Sequence, residues 1–184
     1  MRILIAEDDL TSRTILDTLT GAFNRRTILH GLAKELSRAK RKGTTVSIGL
    51  CDIDHFKMVN DRYGHQVGDE FLCDLVCTIQ NNLRDYDLVG RYGGEEFLVV
   101  TPGSQECKGE RLYERLCECV KRNEIVTNKG RIVITVSIGV MGGTGNSTVE
   151  TMLAAADAAL YQAKKNGRNC VAYADQGIKE DQLP

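Results

Sequence analysis

A long apolar run, an excess of charge of either sign and a paired-cysteine framework are all missing from this chain of 184 residues. No stretch approaches the ~20 consecutive apolar residues of a membrane-spanning helix, and the N-terminus lacks the form of a signal peptide. No membrane partner is expected, and the chain is read as cytoplasmic. The net charge of −1 offers no general surface for nucleic acid or anionic lipid. Seven cysteines make an odd set without a CxxC pair, which speaks against a disulfide scaffold or a zinc module and leaves reduced thiols. Internal repeats and low-complexity runs are absent, and there are only two prolines. What is present is 42% hydrophobic content, enough for one globular domain with a real core.

Residues 1–16 open with the apolar run Ile3-Leu4-Ile5-Ala6 and stop at Glu7, Asp8 and Asp9. This opening resembles the first strand and acids of a response-regulator receiver domain. No later segment supplies that family's phosphoacceptor aspartate, switch hydroxyl or lysine. Residues 1–16 are therefore read as a receiver remnant or an artificial junction, not as a working phosphorylation switch. A catalytic domain is expected over residues 17–174, with a polar tail at 175–184.

Asn24 stands as the N-cap of a helix whose apolar positions Ile28, Leu29, Leu32, Leu36 and Ala39 recur at helical spacing up to Gly43. Val46, Ile48 and Leu50 alternate as a strand that ends on Asp52-Ile53-Asp54. A loop rich in Asn, Asp, Gly and His leads to a helix marked by Phe71, Leu72, Leu75, Val76 and Ile79. Leu88 and Val89 on one side and Leu98, Val99 and Val100 on the other flank Gly93-Gly94 as a tight hairpin, with glycine supplying φ > 0. A helix through Leu112, Leu116 and Val120 follows. Residues 131–141 read as one long strand, paired with 125–127 across Asn128-Lys129-Gly130. Ser147 and Glu150 have capping-box spacing for a helix that ends near Gly167, and residues 170–174 read as the last strand. That order predicts an α+β sandwich: a central, largely antiparallel sheet flanked by helices.

Chemistry concentrates at two places. Strand alternation puts Asp52 and Asp54 on one face, with Ile53 pointing away. The hairpin tip carries Glu95 and Glu96 beside a glycine backbone that keeps no ligand at a distance. Asp52, Glu95 and the backbone carbonyl of Ile53 are the hard oxygens that a two-metal phosphoryl-transfer site requires. Asp54 is open to either reading, metal-side acid or structural strand terminus.

The stretches DIDHFKMVNDRYGHQVGDE from Asp52, RYGGEEF from Arg91 and DAALYQAKKNGRN from Asp157 closely resemble the GGDEF family of diguanylate cyclases. So does the opening DTLTGAFNRR from Asp17, and the match runs from about residue 17 to residue 173. The resemblance implies a five-stranded, ferredoxin-like sandwich akin to nucleotidyl cyclases and the polymerase palm. It also implies an enzyme that condenses two GTP molecules into cyclic di-GMP and pyrophosphate with Mg²⁺ or Mn²⁺, two ions per active site. By resemblance, Asp52, the Ile53 carbonyl and Glu95 hold metal, and Asn60 and Asp69 bind guanine. Lys57 steadies transition-state charge, and Glu96 accepts the proton of the ribose 3′-hydroxyl. Lys164 and Arg168 hold the terminal phosphates. Phe56, His65, Arg91, Gly93 and Gly94 belong with the substrate site, His65 being equally readable as a structural loop residue. Guanine presents two N–H donors and a carbonyl acceptor, which suit a carboxylate and an amide; adenine would leave a buried partner unpaired.

Arg84-Asp85-Tyr86-Asp87 is an RxxD, with five residues between Asp87 and Gly93. In the resembled family this spacing marks a site where Arg84 and Asp87 would grip the cyclic di-GMP product and inhibit the enzyme. One hairpin and one guanine pair per chain hold one GTP, so a second copy of the chain, in a weak homodimer, is the expected catalytic partner. The alternative is a catalytically silent module that binds cyclic di-GMP. The intact set of Asp52, Lys57, Asn60, Asp69, Gly93, Gly94, Glu95 and Glu96 favours the active cyclase.

Overall fold

β1 (Thr45–Ile53) is the strand on which the sheet is assembled, buried along almost its whole length. In the computed structural model the described residues are 14–103, 106–127 and 130–174. The receiver-like stretch before residue 14, residues 104–105 and 128–129, and the tail from 175 lie outside them. β1 pairs antiparallel with β3 (Glu96–Pro102) on one side and β6 (Val136–Thr144) on the other. β2 (Leu88–Arg91) adds to β3 antiparallel, and β7 (Val171–Tyr173) adds to β6 in parallel. The five-stranded order is β2-β3-β1-β6-β7, the expected α+β sheet.

Alternation along β1 splits the core into two layers. Ile48 and Leu50, with Leu98 and Val100, pack against α1 (Arg25–Lys42) and α5 (Val149–Lys165). Cys51 and Ile53, with Phe97, Val99 and Ile138, pack against α3 (His65–Asn82) and α4 (Glu106–Arg122). α5 lies almost on the backbone of β6: a Cβ at Gly139 would sit 2.1 Å from the Ala156 carbonyl oxygen. Glycine there lets the C-terminal end of α5 come down over the end of β1.

Local signals were correct at α1, where Asn24 Oδ1 accepts from Thr27 N and Gly43 ends the helix in the left-handed region. Four details differ from expectation. The polar stretch after Asp54 is not a loop: α2 (Phe56–Tyr63) starts at a left-handed His55, φ 58°, and α3 begins directly after Gly64. Residues 131–141 are not one strand. β5 (Gly130–Val133) pairs with β4 (Glu124–Thr127) in a separate two-stranded sheet, with Gly130 inside the strand opposite Thr127 rather than between the strands, and the break at Ile134-Thr135 is where the chain turns from β4 to β1. The α5 capping box sits one residue later than read, between Thr148 and Thr151, because Ser147 Oγ already accepts from Thr144 N. Finally, neither Gly93 nor Gly94 has positive φ; at Gly93 the need is room, since a Cβ would meet Glu96 Oε2 at 2.4 Å. Cys51, Cys73, Cys77, Cys117, Cys119 and Cys170 are free thiols, and no helix among the described residues is long and apolar enough to cross a membrane.

Candidate active site

β1 delivers Asp52 and Asp54 to the face covered by α5, while Ile53 enters the opposite core. Both carboxylates are buried, 7% and 5% exposed, yet their surroundings differ. Asp52 stands opposite Glu96 on β3 and Ser137 on β6, and its Oδ2 lies 2.8 Å from Lys164 Nζ. Burial lifts the Asp52 carboxyl above its ordinary range; Lys164 offsets part of this and the Asp54 charge adds to it. Asp54 is met by donors instead. Its Oδ1 accepts from Ser137 Oγ at 2.7 Å, and its Oδ2 from Thr135 Oγ1 at 2.6 Å and Asn169 N at 3.0 Å. Of the two readings left open for Asp54, the structural one fits this pattern.

The hairpin tip is shaped by backbone bonds from Tyr92 N and Gly93 N to the Glu96 carbonyl, 2.8 and 3.2 Å. Ile53 N donates to the Glu95 carbonyl at 3.4 Å, which ties the tip to the end of β1. Glu95 and Glu96 are half-buried and both are raised, first by burial and next by the charge of Asp52. Arg91, expected among the substrate residues, is a fastening of this tip. Its Nε and Nη2 donate to the Gly94 carbonyl at 3.2 and 2.7 Å, and its Nη1 lies 3.2 Å from Asp17 Oδ1. Asp17 also accepts from Thr20 N and Oγ1. Burial pushes Asp17 up, but the Thr20 hydrogen bonds and Arg91 outweigh it and hold the carboxyl below the usual range.

α2 and α3 form the third side. Asn60 faces Gly68 so closely that a Cβ at Gly68 would lie 1.9 Å from Asn60 Oδ1. That oxygen is buried and has no hydrogen-bond partner among the described residues, the condition of a group that awaits a donor. Asp69 follows Gly68, so the two guanine candidates are brought together; Asp69 is exposed and lies on α3, not in a loop. Phe56, also expected at the substrate, is 6% exposed and packs in the core beneath Gly68. Lys57 is exposed in the first turn of α2, and His65 is the exposed first residue of α3. Arg168 lies beyond the end of α5, in a left-handed turn with Asn169, φ 65° and 48°.

Three acids pressed together with their carboxyls raised form a place where a divalent cation would relieve repulsion. Among the described residues no three Asp, Glu, His or Cys side chains close around one point as a cage. Two carboxylates and a carbonyl form an open donor set, which fits magnesium, an ion that keeps waters and takes phosphate oxygens rather than a full protein cage.

Arg84 and Asp87 share a turn away from this cluster. Asp87 Oδ2 accepts from Arg84 N at 2.9 Å, and Asp87 N donates to the Arg84 carbonyl at 2.9 Å. Burial raises the Asp87 carboxyl, and the Arg84 backbone bond and charge offset part of it. The guanidinium reaches the Tyr86 hydroxyl, 2.6 Å, and is exposed. Sequence reasoning missed the Asp17–Arg91 tie, the Lys164–Asp52 pair and the donors around Asp54. Only the last had a signal: Thr135 and Ser137, at strand alternation, both present hydroxyls on the face of Asp54.

Residues 14–170 match the family model for the diguanylate cyclase GGDEF domain. The chain is similar to the response regulator PleD of Caulobacter vibrioides, 41% identical over 160 residues that cover 85% of this chain and 35% of PleD. It is similar to the diguanylate cyclase DgcZ of Escherichia coli, 35% identical over 167 residues covering 91% of this chain and 56% of DgcZ. Among solved structures, the GGDEF domain of DgcB from Caulobacter crescentus in complex with c-di-GMP has a TM-score of 0.84 at 29% identity, covering 95% of this chain and 99% of that one. The chain thus spans about a third of PleD and just over half of DgcZ.

Proposed function

The chain belongs to the GGDEF family, and from that premise we propose that it is a diguanylate cyclase, joining two GTP molecules into cyclic di-GMP with release of two pyrophosphates. The observation that carries this reading is the register Asp52 opposite Glu96, with Ile53 N on the Glu95 carbonyl. It sets a buried carboxylate against two more at a glycine tip, where a triphosphate and its cations would meet. Asp52, Glu95 and the Ile53 carbonyl would hold Mg²⁺ or Mn²⁺, two ions per site. Bound there, the metal would neutralise charge at the α-phosphate and acidify the attacking 3′-hydroxyl.

The protein's own groups do the rest. Asn60 and Asp69 read the guanine edge, with the unpartnered Asn60 Oδ1 as one acceptor. Glu96, raised by burial and by Asp52, takes the 3′-hydroxyl proton. Lys57 meets charge developing at the phosphates, and Lys164 and Arg168 take the terminal phosphates. His65 flanks the same mouth at the start of α3. Each chain holds one nucleotide, so two chains face each other across a two-fold axis and each 3′-hydroxyl attacks the partner's α-phosphate. Product binds back at Arg84 and Asp87 and restrains turnover. The working place of the domain is the cytoplasm.

Incubating the chain with equimolar GTP and ATP plus Mg²⁺ and identifying products by mass tests this. Cyclic di-GMP as the sole cyclic product is expected. Unchanged GTP would overturn the reading, and retained product binding in that case would favour a silent module.

A further inference from the structure

We propose that Asp54 is a positioning residue that holds the left-handed turn at Arg168-Asn169 and so aims Arg168 at the phosphates of a bound triphosphate. The ligand of Arg168 rests on the cyclase reading; the fastening itself is read from this chain. Asp54 is 5% exposed, and a carboxylate at that depth is costly unless its oxygens are engaged. They are. Ser137 Oγ, Thr135 Oγ1 and Asn169 N all donate to it at 3.0 Å or less, and Asp54 N donates to the Thr135 carbonyl at 2.9 Å. Two of these donors anchor the carboxylate to β6 and its entry; the third belongs to the turn.

That turn is one the backbone does not choose unaided. Arg168 and Asn169 are consecutive non-glycine residues with φ of 65° and 48°, in a region that L-residues rarely enter. Such a pair persists where its surroundings over-determine it. Here three bonds do so: Arg168 N to the Ala163 carbonyl at 3.1 Å, Asn169 N to Asp54 Oδ2 at 3.0 Å, and Ile138 N to the Cys170 carbonyl at 3.0 Å. The first and last are backbone bonds to α5 and β6. Asp54 supplies the bond between them, to the Asn169 amide itself. Arg168 is exposed, and its charge acts on the Asp52 carboxyl, on which Lys164 already stands. Asp54 therefore links the strand that bears the metal-side acid to the turn that bears the phosphate-side cation, without touching either ligand.

A double-mutant cycle distinguishes this from a general structural role. The probe is inorganic tripolyphosphate with Mg²⁺, its affinity measured by calorimetry for the unaltered chain, Asp54→Asn, Arg168→Ala and the double variant. Each single variant is expected to bind about tenfold more weakly, and the double no more weakly than Arg168→Ala alone, because Asp54 acts through Arg168. Independent, additive losses would overturn the proposal, as would an Asp54→Asn variant that binds like the unaltered chain, or an unaltered chain that does not bind tripolyphosphate. If Asp54→Asn does not fold, Ser137→Ala loosens the same carboxylate through Oδ1 and enters the same cycle, with a loss of about threefold expected only when Arg168 is present. Tripolyphosphate carries neither guanine nor ribose. A chain that binds it and passes the cycle but leaves GTP unchanged would refute the cyclase reading and leave this inference standing.

Discussion

The hairpin tip and the turn after α5 face each other across the end of β1 and are built in opposite ways. At the tip, Glu95 and Glu96 join Asp52, and all three carboxyls are raised first by burial, the two glutamates next by the charge of Asp52. At the turn, Lys164, Arg168 and the Asn169 amide bring positive charge and donors to the same strand end. One side is held in a state that costs stability, the other in a state that supplies it. The difference teaches where the ligand belongs: charge that Lys164 offsets only in part marks the surface that a cation and phosphates complete, while a fully engaged carboxylate such as Asp54 marks a support.

The comparison breaks most visibly at Glu95. Glu95→Gln is expected to lower cyclic di-GMP formation by about two orders of magnitude or more, because an amide is a poorer ligand for a hard cation. The same change removes one of three crowded charges, so the thermal midpoint is expected to hold or rise. A variant that melts earlier and keeps its rate would reverse the roles given to tip and turn.

A second break lies at the guanine side. Gly68→Ala drives a Cβ to within 1.9 Å of Asn60 Oδ1, and Asp69→Ala removes an acceptor for guanine. Each is expected to weaken GTP binding by about 1–3 kcal/mol. Competition by ATP is the readout: a variant that loses GTP affinity yet discriminates as well as before would detach these residues from base reading.

Much of this is legible in the sequence. Alternation of Ile48 and Leu50 against Cys51 and Ile53 fixed which way Asp52 faces, and the apolar runs around Gly93-Gly94 fixed the hairpin. What was hidden depends on neighbours far along the chain. α2 is short and polar, and it begins at a left-handed His55, so neither periodicity nor a cap betrays it. The break at Ile134-Thr135 follows from a change of pairing partner, which no local pattern encodes. Ser147 and Thr148 are both competent caps, and only the Thr144 contact decides between them. That Phe56 fills the core and Arg91 holds the tip is likewise settled by neighbours, not by local pattern.

The Arg84 site sharpens the comparison from outside it. Arg84→Ala is expected to raise the product concentration needed for half-inhibition about tenfold, since a bidentate grip on phosphate or guanine is lost. Calorimetry with an unchanged product affinity would remove inhibition from this turn.

The smallest effect expected is at Asp17. Its carboxyl is held below the usual range, so its contribution is present above the ordinary carboxylate pKa and is lost as pH falls through the lower folded value. Thermal melts of Asp17→Asn and the unaltered chain are expected to differ at pH 6 and to converge below about pH 3. A gap that widens on acidification would contradict the sign.

The central claim is that two of these half-sites together make cyclic di-GMP. Its most direct test is the rate of cyclic di-GMP formation per chain, across a wide protein concentration range at saturating GTP and Mg²⁺, with product removed enzymatically. The account predicts a rate per chain that climbs with concentration toward a plateau as two-fold pairs form. A rate that is flat from the lowest concentration, in a chain that light scattering shows to be monomeric, would contradict it.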